Sequence, residues 1–141
     1  MTPPPIQRDA SSLDLSSRFF KSTAVAASPA AATETVICTL TMSEDLAVME
    51  GAMLWGWCAF LVGASGTDAT VKLRRTDTSG TTIASTGIIN APAAADLLTY
   101  AICGFDTGPT LPGQVYVMTL TVPNAAAAST VSGATLAALL I

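Results

Sequence analysis

The residue types that carry out chemistry are scarce in this sequence, and their placement says which chemistry is out of reach. There is no histidine. That removes Ser-His-Asp and Cys-His nucleophile systems, His-ligated zinc sites and the metal-dependent enzymes that share His and carboxylate ligands. Three cysteines remain, Cys38, Cys58 and Cys103, each inside an apolar, strand-like run. An odd number without paired spacing makes no disulfide framework, so they are expected to be buried, reduced thiols, as suits a reducing, cytoplasmic site of folding. The carboxylates are scattered: Asp68, Asp77 and Asp106 lie near turn signals, and Glu44 and Asp45 are adjacent. Paired-carboxylate hydrolysis needs two such groups held across a cleft, whereas isolated Asp residues of this kind commonly form turns. No Asp-x-Asp-x-Asp-Gly calcium loop occurs, and Gly63-Ala64-Ser65-Gly66 lacks the lysine and strand–helix context of a phosphate loop. The reading is of a protein that is not an enzyme, with no catalytic residue, metal ligand or cofactor assigned.

One constellation is left. Trp55 and Trp57 stand at alternate positions with Met53 beside them, so an extended chain puts all three on one face. Two indoles spaced in this way could stack on a sugar ring. Their neighbours Leu54, Phe60 and Leu61 favour instead a place in the core or at a subunit interface.

The element that must position them is the run from Ala52 to Val62, apolar in both alternate registers. It reads as a central strand buried on two sides, or as one whose second face meets another subunit. The other elements are arranged around it. Phe19-Phe20 is expected to anchor a first strand into the body. In Glu34–Met42, Val36, Cys38, Leu40 and Met42 alternate with Thr35, Thr39 and Thr41, which predicts a strand with Ile37 as an apolar intruder on its outer face. Thr70–Arg75 turns Val71 and Leu73 inward, and Asp77-Thr78-Ser79-Gly80 closes a hairpin onto Thr81–Ser85. Half of the six Lys and Arg side chains sit there, as Lys72, Arg74 and Arg75. They read as a solvated strand that discourages edge pairing, or as a salt-sensitive contact with an acidic neighbour. A short helical turn is expected at Ala93–Asp96. Leu97–Phe105 and Val115–Val122 alternate as strands, and Thr130–Ile141 closes the chain. About eight strands without a long helix predict an all-β fold, a jelly-roll-like β-sandwich over 18–141. An immunoglobulin-like sandwich is the alternative.

Before the body, residues 1–17 form an extended N-terminal arm. Pro3, Pro4 and Pro5 favour a polyproline conformation, and the Ser/Asp mixture that follows cannot bury enough surface to fold alone. No secretory signal is expected there, since an apolar h-region is lacking.

Half of the 141 residues are hydrophobic and only 11% are charged, against roughly a quarter charged in an average domain. The deficit implies a surface covered by something else: identical subunits, a larger particle or lipid. The net charge of −4 argues against a nucleic-acid partner, which would need a basic surface. A membrane span is not expected: Ala52–Ala64 is short of the ~20 residues a helix needs, and Pro123-Asn124 interrupts Val115–Ile141.

The Pro-rich arm, the Ala/Thr/Gly-rich β body, the strand entry Leu111-Pro112-Gly113-Gln114-Val115-Tyr116 and the apolar end Gly133–Ile141 together resemble tailed-bacteriophage capsid decoration, or cement, proteins. The resemblance implies a jelly-roll-like subunit, commonly trimeric, on the outer surface of the virion where major capsid proteins meet. Its partners would be the major capsid protein and further copies of itself. The arm would then make capsid contacts through Pro3, Pro4, Pro5, Ile6, Arg8 and Leu13. A trimer packed about Met53, Trp55 and Trp57, or about the last strand through Leu136 and Leu139, would explain the low charge. A receptor- or glycan-binding module of a phage tail or fibre tip is the alternative function.

Overall fold

A computed structural model describes residues 18–24, 32–62, 68–90, 97–122 and 129–141. The arm, with Pro3, Pro4, Pro5, Ile6, Arg8 and Leu13, lies outside these residues, as does the helical turn expected at Ala93–Asp96.

Nine strands are described: β1 (Phe19–Ala24), β2 (Thr35–Thr41), β3 (Ala52–Val62), β4 (Asp68–Arg75), β5 (Thr82–Ser85), β6 (Ile89–Asn90), β7 (Leu97–Asp106), β8 (Val115–Thr121) and β9 (Ser129–Leu140). They form two antiparallel sheets. One has the order β1-β9-β3-β7; the other has the order β2-β8-β4-β5, with β6 also paired to β4. From β1 to β4 each strand lies in the opposite sheet from the one before, and so it is again from β7 to β9. Only the β4–β5 hairpin keeps two long neighbours together. This alternation builds a jelly roll, and the immunoglobulin-like alternative falls with the strand order.

The inward residues of the two sheets make one core. Leu54, Cys58, Phe60 and Val62 of β3 meet Val71 and Leu73 of β4 and Tyr116, Met118 and Leu120 of β8, all buried. Gly56 lies where the sheets approach closely: a Cβ there would come 2.6 Å from the Met118 sulfur. The turn Leu111-Pro112-Gly113-Gln114 that enters β8 is closed by the Gln114 N–H donating to the Leu111 carbonyl at 3.0 Å. Its Gly113 takes φ +69°, the left-handed conformation that a type II turn requires after proline.

Strict alternation fails in β2. The register shifts between Val36 and Cys38, a bulge that sends Ile37 and Cys38 both into the core and leaves Val36 exposed. Ile37 is therefore a core residue and no intruder on the outer face. Neither is β4 a solvated edge strand. It is paired on both sides, by β8 and by β5 and β6.

The cations of β4 are held by carboxylates far away in sequence. On the outer face of the second sheet, Glu34 accepts hydrogen bonds from Arg74 Nε (2.6 Å) and Nη2 (2.9 Å) and from the Thr119 hydroxyl (2.6 Å). Lys72 Nζ adds an ion pair at 3.6 Å. The Arg74 hydrogen bonds are the largest cause of a Glu34 pKa of about 2, against an ordinary 4.5; burial opposes them, and Thr119 and the neighbouring cations assist. A carboxyl whose pKa is depressed in the folded state gives stability that is full above its unfolded value and lost as pH falls through the folded value. Acid titration of folding from pH 5 towards pH 2 should thus remove a contribution of about 2 kcal/mol, with screening by solvent allowed for. Glu34→Gln should remove this part of the pH dependence, leaving a flatter profile of thermal unfolding over the same window.

Candidate contact face on the first sheet

The outer face of β1-β9-β3-β7 is where the unusual residues meet. Register places Phe19, Leu139, Met53 and Phe105 in one row across all four strands. The next row is Lys21, Ala137, Trp55 and Cys103, and the one after it Thr23, Thr135, Trp57 and Ala101. Phe19, Met53, Trp55, Trp57 and Phe105 are exposed, the two indoles by 37% and 44%. Lys21 is the one charged side chain on this face among the described residues.

Alternation in β3 explains the arrangement. Its even positions from Ala52 to Cys58 fill the core, so the odd ones, equally apolar, must point away from it. Of the two readings of this strand, burial of both faces within the domain is excluded, and the tryptophans are not core residues. The remaining candidates divide: Leu136 points inward and is buried, while Leu139 is half-buried in the outer row.

The indoles are not evenly spread over the sheet. The Phe19 and Trp55 rings meet at 5.8 Å between centroids. The Trp57 ring lies over Gly133 of β9, where a Cβ would sit 3.5 Å from its Cζ3. Both contacts lie on the β9 side of the ridge formed by β3. Between the two indoles, over the small Ala101 and Cys103 of β7, lies a hollow of about 280 Å³ that reaches across β3 to Thr135 of β9. Thr135 is its one hydroxyl-bearing lining residue.

Cys103 is exposed beside this hollow, which corrects the expectation that all three thiols are buried. Cys38 and Cys58 are buried, and burial pushes the Cys58 thiol up to about 11. The strand of Cys103 is an outer strand of its sheet, and an odd count along it points the side chain out; alternation through Tyr100 and Ile102 was the available signal.

The opposite outer face is polar. Its rows run Thr39, Val117, Arg74, Thr82 and Val36, Thr119, Lys72, Ser85, with the Glu34 cluster across the middle. At one end of the sandwich a second polar group joins the two sheets. Asp106 Oδ2 accepts from Arg75 Nε (2.9 Å), Arg75 Nη2 (2.5 Å) and the buried Tyr116 hydroxyl (2.9 Å). Burial raises the Tyr116 phenol to about 12. The chain enters the body at this end: the Arg18 carbonyl accepts from Leu140 N–H at 2.9 Å. Val48 and Leu111, on loops joined by the Met49–Thr110 bridge, are exposed there too.

Among the described residues no three His, Cys, Asp or Glu side chains gather as a metal ion would need, and no helix is long and apolar enough to cross a membrane. The site as described is an exposed apolar surface with Lys21 as its one charge among the described residues, and a polar sheet at its back.

No protein-family model matches the sequence, nor does any curated protein. Solved structures do match the fold. The Eiger TNF of S. frugiperda aligns with a TM-score of 0.54 at 6% identity, over 88% of this chain and 94% of that one. VP2 of infectious bursal disease virus, as the D431N mutant in T=1 particles, aligns with a TM-score of 0.57 at 9% identity, over 87% of this chain. The Gx strain of the same virus gives 0.54 at 12% identity over the same share. The chain spans about a third of the length of these viral chains, 32% in both. At such identities the likeness is one of fold: this chain is a jelly-roll β-sandwich of the architecture shared by a viral capsid protein and a TNF.

Proposed function

We propose that the chain is a structural protein of the virion, a decoration subunit that binds the outer surface of a phage head and stabilises it. The observation that carries this reading is the contrast between the two outer faces. The first sheet exposes aromatic and aliphatic side chains along whole rows with Lys21 as the one charge, while the second carries threonines and a closed ion cluster. A protein that works alone in solution gains nothing from the first face, and one built into an assembly needs it. The role requires contact area and no covalent step, nucleic acid or lipid. The major capsid protein is the proposed partner for the arm and for the end of the sandwich where the arm joins, around Val48 and Leu111. The polar second sheet then faces solvent. The fold shared with VP2 is compatible with this role.

The test is sedimentation of purified protein with undecorated heads, with and without residues 1–17. Full-length protein is expected to pellet with the heads, and the truncated chain to bind at least about tenfold more weakly, the loss of one small contact region. No pelleting of either form overturns the decoration role. Undiminished binding of the truncated chain removes the arm from it.

The exposure of Trp55 and Trp57 also favours a second reading, a glycan-binding module of a tail or fibre tip. A shift or quenching of tryptophan emission on titration with oligosaccharides is its expected signature, and an unchanged spectrum opposes it.

A further inference from the structure

We infer that the outer face of β1-β9-β3-β7 is occupied by a second copy of this chain, each copy seating the tryptophan ridge of the other in the hollow above β7. The inference rests on the structural-subunit reading above and names the partner for its principal face.

Three properties of the face point to a copy of itself. It carries both halves of a fit: a ridge along β3, formed by Met53, Trp55 and Trp57, and a trough between the indoles floored by Ala101 and Cys103. Trp55 leans on Phe19 and Trp57 on Gly133, and the space between the two indoles is left open above Ala101 and Cys103 to receive an aromatic side chain of the other copy. A self-complementary patch of this kind is what an isologous interface requires, and it joins two copies about a twofold axis in place of the threefold packing expected from the sequence. The size also suffices. Four strands at about 4.8 Å spacing and eight residues at about 3.3 Å rise give roughly 500 Å² of projected face per copy, or about 1,000 Å² for a pair, the lower bound for a specific interface. Finally, the charge is wrong for other partners. With Lys21 as its one charge among the described residues, the face offers no complement to an acidic or basic surface, and an overall net charge of −4 opposes approach to anionic lipid. Sheets packed face to face sit about 10 Å apart with their side chains interleaved, a separation that ring-sized ridges bridge.

The experiment is sedimentation velocity of the full chain at about 10 µM, the range in which a micromolar interface is populated. It is run beside Ala101→Arg, which puts a charged side chain into the trough, and Thr39→Arg, which puts the same side chain on the exposed outer face of the other sheet. Wild type and Thr39→Arg should sediment as a species of at least twice the 14.3 kDa monomer. Ala101→Arg should weaken association about 100-fold, since the inserted charges face one another without partners. Tryptophan emission of the wild-type chain provides a readout that needs no variant: dilution should shift it to the red and raise its quenching by acrylamide as the indoles become wet. A monomeric wild type whose emission does not change with concentration overturns the inference, and so does an Ala101→Arg variant that folds and associates like wild type. Binding of the monomer to neutral phosphatidylcholine vesicles, with emission shifting to the blue, assigns the face to lipid instead and equally overturns it. Head binding separates this inference from the decoration role: a chain that associates but ignores heads defeats only that role, and a monomer that decorates heads defeats only the pairing.

Discussion

Replacing Asp106 with alanine is expected to lower the stability of the sandwich by about 3–5 kcal/mol, the loss typical when one partner of a largely buried ion pair is removed. The carboxylate holds three elements at once. Its Oδ2 takes two hydrogen bonds from Arg75 on β4 and one from Tyr116 on β8, and its Oδ1 takes the Gly108 N–H at 3.1 Å. Tyr116 is fully buried, and without Asp106 its hydroxyl keeps only Thr110, 3.0 Å away. Arg75 keeps only the Pro109 carbonyl at 3.2 Å. The guanidinium, with 23% of its side chain exposed, is then left short of partners, and that unpaired charge is the larger part of the loss. Urea denaturation should show a lower midpoint with an unchanged slope, since the same surface is exposed on unfolding. Arg75→Met in the Asp106→Ala background should restore part of the stability, because it removes the orphaned charge; strictly additive losses would mean that the two side chains do not act as a pair. The network also bears on the proposed role. It ties β4 and β8 of one sheet to β7 of the other at the end where residues 1–17 join, so any pull transmitted by the arm reaches both sheets there.

Much of the fold was legible because alternation has a period of two and a buried face enforces it. Val71 and Leu73, Tyr100 and Ile102, and Tyr116, Met118 and Leu120 point inward as their spacing says. Cys38–Met42 and Met118–Val122 have similar sequences, and β2 and β8 prove to be neighbours, with Cys38 opposite Met118. What alternation cannot show is an extra residue. The bulge at Val36 moves one side chain out and another in without any change in composition that marks it. Long-range pairs were hidden for a different reason. Glu34 reaches Arg74 across 40 residues and Asp106 reaches Arg75 across 31, distances set by the crossing of the chain between sheets and by nothing local. Lys72 and Arg74 on one face of a strand flanked by others do call for a carboxylate, so a central place for Thr70–Arg75 would have exposed Glu34 as a candidate. The face on the first sheet was half legible. A run apolar in both registers announces two apolar faces; which of them the same domain covers depends on which sheet the strand joins.

That distinction gives the second large effect, a contrast between two aromatic residues three positions apart. Phe60→Ala is expected to cost about 3–5 kcal/mol of folding stability, as deletion of a fully buried ring does when the surroundings only partly collapse. Phe60 is completely inaccessible and packs against Tyr100, with ring centroids 6.4 Å apart and planes inclined by 30°. It also sits where the β3–β9 register shifts, between Ala59 and Phe60, so its ring fills the core at the point where the ladder is least regular. A cavity there weakens the contact between the sheets as well as the strand pairing beside it. Trp57→Ala removes a larger ring from the same strand, yet 44% of that residue already meets solvent, and the monomer should lose no more than about 1–2 kcal/mol. Its effect belongs to association. Under conditions where the chain is monomeric, thermal unfolding should therefore rank Phe60→Ala far below wild type and Trp57→Ala close to it, while sedimentation at higher concentration should show Trp57→Ala as the variant that fails to associate. Equal losses of monomer stability would place both rings in one core and contradict the division of β3 into an inner face that folds the domain and an outer face proposed to join it to a second copy.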